Sequence, residues 1–201
     1  MFNNAIQDFD RQYNTPVLGI DEAGRGPLCG PVVSACVWWP NLPDNDLGIT
    51  DSKKLSPSKR QDIFNHLTHL HANNQIFFDI GIASPEEIDD INILEATKLS
   101  MYRAFQNCKK PDLPFQTLID GQNTISSITN AHAIIKGDQR SLSIATASII
   151  AKVTRDQMME QIHILYPHYH LDKHKGYGTK LHKEQIKKFG LCPYHRKTFK
   201  I

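Results

Sequence analysis

Two adjacent carboxylates, Asp21 and Glu22, close an apolar run in the stretch LGIDEAGRGPLCGPVV, residues 18 to 33. Two further apolar runs finish in the same way, at Asp120-Gly121 and at Gly137-Asp138. In open α/β sheets, sites gather at strand ends, and a glycine beside an acid lets a ligand approach the backbone closely. If these three ends are neighbours, four carboxylates converge. Such a group repels itself unless some members stay protonated, or unless a hard divalent cation binds the oxygens. Two cations a few ångströms apart could activate water and stabilise a leaving oxygen in phosphodiester hydrolysis. A single acid beside a turn more often caps a helix or forms an Asx-turn. Three ends finishing alike are what favour a metal site. One difficulty is geometric. Adjacent strand residues point to opposite faces, so Asp21 and Glu22 can share a site only if the strand is already ending at Glu22 and Ala23-Gly24 supply the bend.

Other motifs fail here. Gly30 is followed by Pro31-Val32, not by the lysine and hydroxyl residue of a phosphate loop, and Cys29 stands where a dinucleotide loop would have its third glycine. No G-x-S-x-G is present. His168, His170, His174 and His182 are crowded, but their spacing matches no common zinc pattern and no cysteine partners them. They are expected to be surface-loop histidines. Cys29, Cys36, Cys108 and Cys192 form no C-x-x-C pair and are expected to be reduced, small and hydrophobic.

The elements that must position these groups follow from local signals. Strands are expected over 17–21, 31–39, 75–82, 115–119 and 131–135, where β-branched and aromatic residues concentrate. Ser56-Pro57 opens one helix. Ser84 and Glu87 form a capping box for a second, which runs to about Cys108 with a break near Asn92. A third spans about 142–165, and Ala145, Ala147, Ser148 and Ala151 let it lie close to a sheet. A polar, aromatic loop over 166–179 precedes a last helix over 181–189 that stops at Gly190. The order predicts a mixed α/β sheet covered by helices.

Composition sets the class. A 201-residue chain with 40% hydrophobic and 22% charged residues reads as one soluble globular unit. No apolar run approaches the roughly 20 residues of a membrane span, and MFNNAIQDFDRQYN lacks the pattern of a signal peptide, so a cytoplasmic location is expected. Residues 1–135 carry 10 Lys+Arg against 16 Asp+Glu, whereas 136–201 carry 13 against 5 and six of the ten histidines. The asymmetry suggests an acidic centre and a polyanion-facing surface; a merely solvated basic face is the alternative.

The stretch GIDEAGRGPLCGPVVSACV closely resembles the signature of the ribonuclease HII family. So do DSKKLS (51–56), LIDG (118–121), IIKGDQRSLSIATASIIAKVTRD (134–156), HKGYGT (174–179) and YHRKTF (194–199). The matches run in the family's order along essentially the whole chain, with minor departures such as Cys29 in place of a small residue. The resemblance implies an α/β fold of ribonuclease H type, a mixed sheet flanked by helices. It further implies a catalytic part at 1–165 and a helical, substrate-binding C-terminal extension at 166–201, in one compact unit. The activity it implies is metal-dependent endonucleolytic cleavage of the RNA strand of RNA–DNA hybrids, and 5′ of single ribonucleotides in duplex DNA. Asp21, Glu22, Asp120 and Asp138 would be the catalytic metal ligands for Mg²⁺ or Mn²⁺, two ions at the scissile phosphate. Gly24, Arg25 and Gly26 would read the ribose 2′-hydroxyl through the backbone, and Tyr177 would pack on the sugar. Lys53, Lys54, Ser148, Lys152 and Arg155 would contact phosphates, with an Arg155–Asp156 ion pair as the alternative use of that arginine. A monomer acting on nucleic acid, with no membrane partner, is expected. Another ribonuclease H-fold nuclease or strand-transfer enzyme fits the acids equally but has no need of Gly24-Arg25-Gly26 with Tyr177. A non-catalytic binding module would not keep four phosphate-repelling acids.

Overall fold

The computed structural model describes residues 5–43, 45 and 47–201, so the first four residues of the N-terminal stretch lie outside it. Five strands form one sheet: β1 (Val17–Ala23), β2 (Val32–Trp38), β3 (Phe77–Ala83), β4 (Gln116–Asp120) and β5 (Ala131–Ile134), in the order β3-β2-β1-β4-β5. The β1–β2 and β2–β3 pairs are antiparallel, and β1–β4 and β4–β5 are parallel. The mixed sheet expected from the sequence is therefore present, with strand ends shifted by one or two residues.

Helices cover both faces. On one lies α4 (Leu142–Leu165), packed on Ala35 and Val37 through Ala145, Ala147, Ile149 and Ala151. Its approach is close because β1 has no side chain at Gly19: a Cβ there would sit 2.2 Å from the Ser143 carbonyl carbon. The small residues seen in the sequence do allow this helix to lie against the sheet. The other face carries α3 (Pro85–Asn107), whose Met101, Ala104 and Phe105 pack on Leu18, Ile20, Cys36 and Ile119. Ser84 and Glu87 cap α3 reciprocally. At Asn92 the backbone leaves the helix with φ 67°, and the Asn92 Oδ1 accepts from the Leu94 and Glu95 amides, recapping the second half. Between β2 and β3 lies α2 (Pro57–Ala72), with Ser56 as its cap.

Two features were not anticipated. A short N-terminal helix, α1 (Ala5–Arg11), places Asp10 so that its Oδ2 accepts from the Ser143 amide in the first turn of α4, at 2.8 Å. The 166–179 segment is not all loop: it contains a 3₁₀ turn at Pro167–Tyr169 and a one-turn helix α5 (Leu171–His174). With α6 (Lys180–Phe189) it builds a small apolar cluster, in which Leu28, Cys29, Met159 and Ile162 from the main body meet Tyr169, Leu171, Ile186 and Cys192. Asp89 of α3 ties down the C-terminus by accepting from the Lys197 and Thr198 amides, each at 2.9 Å. No helix among the described residues is long and apolar enough to cross a membrane.

Candidate active site

Strand alternation places Asp21 on the α4 face of β1, with Val17 and Gly19, and Glu22 on the α3 face, with Leu18 and Ile20. The strand does not end at Glu22 as expected; it stays paired with β2 to Ala23↔Val33. The two acids meet for another reason. Pairing with β4 stops at Ile20↔Ile119, so β1 runs on with that edge open, and both carboxylates border the gap. Glu22 lines a groove with Asp120, Gly121 and Arg25, and also lines a cavity of about 210 Å³ with Asp21, Gly24, Arg25, Gly26, Lys53, Ser148, Lys152 and Tyr177. Asp120 ends β4 and accepts from the Gly137 amide at 2.6 Å, which brings the 3₁₀ turn Gly137–Gln139, and with it Asp138, to the same corner. A larger open groove of about 620 Å³ along α3 has Glu95 as its one carboxylate and adjoins the Glu22–Asp120 groove through Lys98, Thr124 and Ile125.

The electrostatics show crowding. Burial pushes the Asp21 carboxyl well above the ordinary range, and the charges of Glu22, Asp120 and Asp138 push it further. Glu22 is raised by burial and by Asp120, against the pull of Arg25, whose guanidinium stands 3.4 Å away. Asp138 is raised by burial, Asp120 and Asp51. Lys53 answers these charges: partial burial lowers its ammonium, but Asp21, Asp138, Asp51 and Asp120 together hold it above the usual lysine value. An all-oxygen donor set in which Asp21, Glu22 and Asp138 are held back from ionising suits a hard divalent cation, which would relieve the repulsion. No three of these carboxylates bring oxygens all within 4.8 Å of one another; among the described residues, only Cys29, Cys192 and His195 form so tight a set.

The chain matches the family model "Ribonuclease HII" over residues 18–201. It belongs to the ribonuclease HII family. It is 46% identical over 193 residues to the ribonuclease HII of Macrococcus caseolyticus, covering 96% of this chain and 70% of the relative. To that of Chlamydia trachomatis serovar L2 it is 47% identical over 201 residues, covering 98% and 86%. Among solved structures, the ribonuclease H2 from Pyrococcus horikoshii superposes with a TM-score of 0.72 at 26% identity, over 92% of this chain and 94% of that one. The ribonuclease HII in the complex with PCNA from Archaeoglobus fulgidus gives 0.73, also at 26%, over 92% and 95%. The protein is an endoribonuclease of ribonuclease H type 2 with the ribonuclease H fold.

The other residues singled out in the sequence divide. Lys53, Ser148 and Tyr177 line the cavity with Asp21; Lys54 is exposed in the same 3₁₀ turn, Ser52–Lys54, but does not line it. The Ser148 hydroxyl is buried with no hydrogen-bond partner, so it is free to bond to a ligand in the cavity. Arg155 forms no ion pair with Asp156 or any other acid among the described residues. It is buried, and its guanidinium donates to the Pro31, Lys175 and Cys29 carbonyls at 2.9–3.0 Å, while Asp156 pairs with Lys152 at 2.7 Å. Gly24 also has a structural reason. Its φ is +100°, and a Cβ would fall 2.1 Å from the Arg155 Nε. A Cβ on Gly26, by contrast, would meet nothing nearer than the Tyr177 ring, at 3.7 Å. His182 is not a surface histidine: it is fully buried, with Nδ1 3.0 Å from the Tyr177 carbonyl and Nε2 3.0 Å from His195 Nε2.

Sequence reasoning missed Arg196 and Asp51. Arg196, buried, donates to the Gly24, Arg25 and Gly30 carbonyls and so fixes the Gly24–Gly26 loop from beneath. Asp51 accepts from the Lys53 amide at 2.9 Å and from the Gln139 side chain at 3.3 Å, joining the lysine turn to the Asp138 turn. Both lie in stretches quoted for the family resemblance, YHRKTF and DSKKLS, but a short motif does not say which member faces inward.

Proposed function

We propose that this corner cleaves the RNA strand of RNA–DNA hybrids and cuts 5′ of a single ribonucleotide in duplex DNA, leaving a 3′-hydroxyl and a 5′-phosphate. The observation that carries the proposal is the opposition of Gly26 and Tyr177 across the cavity that Asp21 and Glu22 line. The bare face of Gly26 leaves room for a ribose, and a protein tells RNA from DNA at one site mainly through the 2′-hydroxyl. Arg196 occupies the Gly24 and Arg25 carbonyls on the inner side of the loop, which leaves its outer backbone groups to the sugar. The Tyr177 ring is exposed and would pack on the adjoining sugar. Ser148 and Lys53 face the same space and would hold phosphate oxygens.

Asp21, Glu22, Asp120 and Asp138 would hold one or two Mg²⁺ or Mn²⁺ ions, and their oxygen-only chemistry, with the carboxyls of Asp21, Glu22 and Asp138 raised, fits that group. Bound there, the ions would lower the pKa of an attacking water and stabilise the leaving 3′-oxygen. The chain's own groups bind the strand, orient the scissile phosphate and set the sugar that marks it. The 166–201 segment, docked on α4 and on Leu28-Cys29, supplies Tyr177 and a basic α6, and is proposed as the substrate-binding extension of a protein that works as a monomer.

The test is cleavage of a DNA duplex carrying one ribonucleotide, in Mg²⁺ or Mn²⁺, with products mapped to the nucleotide. Tyr177→Ala is expected to reduce cutting at the lone ribonucleotide more than cutting within a continuous hybrid, where several registers are available. A wild type that ignores the lone ribonucleotide, or 2′,3′-cyclic phosphate ends, would overturn the proposal.

A further inference from the structure

Beneath the substrate loops, away from the carboxylates, Cys29, Cys192 and His195 bring one sulfur or nitrogen atom each within 4.8 Å of the others, all buried. Cys29 follows the Gly24–Gly26 loop by three residues and bridges His195 in the C-terminal segment as an antiparallel pair. The Cys29 and Cys192 sulfurs themselves lie within 4.8 Å of each other. The His195 Nδ1 accepts from the Cys192 amide at 2.9 Å and lies 3.1 Å from the Cys192 sulfur. That assigns the His195 proton to Nε2, where it is donated to His182 Nε2; His182 then carries its proton on Nδ1 and donates to the Tyr177 carbonyl.

Charge singles out one sulfur. Arg155 and Arg196 are each 1% exposed and neither forms an ion pair among the described residues; their guanidiniums donate only to carbonyls, Cys29 among them. A thiolate at this pair has the Arg155 and Arg196 guanidiniums beside Cys29 and a second thiol as its neighbour. The neighbouring Cys29 thiol, against burial, lowers the Cys192 thiol, while the same neighbour and burial push Cys29 up. A metal ion is the poorer occupant. Both His195 nitrogens are already engaged, and two buried guanidiniums oppose a dication.

We propose that Cys29 and Cys192 are a reversible redox pair, closed into a disulfide by hydrogen peroxide, and that closure suppresses cleavage by displacing the loops that read the substrate. The Cys192 thiolate attacks one peroxide oxygen and the O–O bond breaks. Hydroxide leaves, takes up a proton and becomes water, and Cys192 becomes a sulfenic acid. The Cys29 sulfur then attacks the Cys192 sulfur and the S–O bond breaks; the departing hydroxide takes the Cys29 proton as a second water. Two thiols lose two electrons and one peroxide gains them. Cys192 sits between exposed Leu191 and Pro193, within reach of a small oxidant.

Closure has consequences because the surroundings have no slack. Bonded sulfurs stand about 2 Å apart, so closure draws the Cys29 and C-terminal segments together. The Cys29 carbonyl is held by Arg155, and a Cβ at Gly176 would lie 2.3 Å from it. Leu28 N donates to the Gly176 carbonyl and Gly30 N to the Tyr194 carbonyl, both at 2.8 Å. Pulling Cys29 therefore moves the Gly176-Tyr177 loop.

Cys36 and Cys108 form an internal control. They too are buried in one cluster, but they lie among Trp38, Met101 and Phe105, and burial pushes Cys36 well up. The experiment treats the full chain with hydrogen peroxide, alkylates the remaining thiols and maps peptides without reduction. The expected result is a Cys29–Cys192 linkage with Cys36 and Cys108 still alkylated. Cleavage at a lone ribonucleotide should fall about tenfold or more and return with dithiothreitol. Cys192→Ser and Cys29→Ala should cleave like the reduced wild type and ignore peroxide. No linkage, equal linkage at Cys36–Cys108, stoichiometric zinc in the purified protein, or full activity in the mapped disulfide form would each overturn the proposal. The effect on cleavage rests on the proposed function. If the reduced protein does not cut the lone ribonucleotide, that function fails, while the peptide map still decides the redox pair.

Discussion

Gly24 and Gly26 stand two residues apart in one motif, and substituting each by alanine should have opposite effects. At Gly24 the φ of +100° is a region that L-residues enter at a cost of about 1–3 kcal/mol. The new methyl would fall 2.1 Å from the Arg155 Nε, which cannot yield without loosening its bonds to the Pro31, Lys175 and Cys29 carbonyls. Stranding one or two such buried groups costs about 1–3 kcal/mol each. Gly24→Ala should therefore lose about 3–5 kcal/mol of stability. At roughly 2–4 °C per kcal/mol for a chain of this size, the Tm falls by about 6–20 °C. Gly26 lies outside the left-handed region, and its methyl would have the Tyr177 ring as its nearest neighbour, at 3.7 Å. Gly26→Ala should melt within about 0.5 kcal/mol of wild type. The same methyl would enter the space assigned to the ribose, and a displacement near 1 Å at the reacting sugar costs about 100-fold in rate. The assay pairs thermal unfolding with single-turnover cleavage of a duplex carrying one ribonucleotide. Gly26→Ala cutting at the wild-type rate would refute the division of labour, and so would Gly24→Ala melting at the wild-type temperature.

Asp21→Asn should abolish most cleavage yet leave the metal-free fold as stable as wild type or more so, because it removes a buried charge that Glu22, Asp120 and Asp138 oppose; a clear loss of stability, measured in chelator, would contradict this. Replacing Lys180, Lys183 and Lys187 of α6 by glutamine should flatten the fall of duplex affinity with salt while sparing the rate at saturation, and an unchanged slope would place the binding face elsewhere. Burial, with the nearby His174 and His195, lowers His182 to about 4 against the Tyr177 carbonyl bond, so the fold holds it neutral. Below pH 6.5 the unfolded chain binds the proton first. Stability should then drop as pH falls from 6.5 to about 4, by about 3 kcal/mol at most from this group. The raised Asp10, Asp21 and Asp138 act in the opposite sense, so the reading is the difference between wild type and His182→Asn in denaturant titrations at several pH values. A difference that does not change between pH 7 and pH 4 would show that His182 is not the group.

Much of the fold was legible locally. Ser56-Pro57, the Ser84–Glu87 box, the Asn92 break and the stop at Gly190 each act within a few residues, so a short window contains the whole cause. The strands were marked by β-branched and aromatic runs and came out with small shifts at their ends. The N-terminal helix was not legible, because seven residues do not hold a helix alone; Asp10 earns its place through a bond to Ser143, 133 positions away.

The sequence by itself determined the identities of the four acids, the Gly24-Arg25-Gly26 loop and Tyr177, and the family to which their order belongs. It could not say how they meet. Asp21 and Glu22 share a site because β4 leaves β1 at Ile20, not because β1 ends. Arg155 faces the core and Arg196 holds a loop 172 residues away in the chain. Gly24 is filled in by Arg155 while Gly26 is left open. Each of these depends on which buried group occupies a given space, and packing at that range has no period or spacing in the chain to announce it. Cys29 and Cys192 read as two unrelated small hydrophobes for the same reason: only the docking of the C-terminal segment sets their sulfurs beside each other, under two guanidiniums that have no acid for a partner.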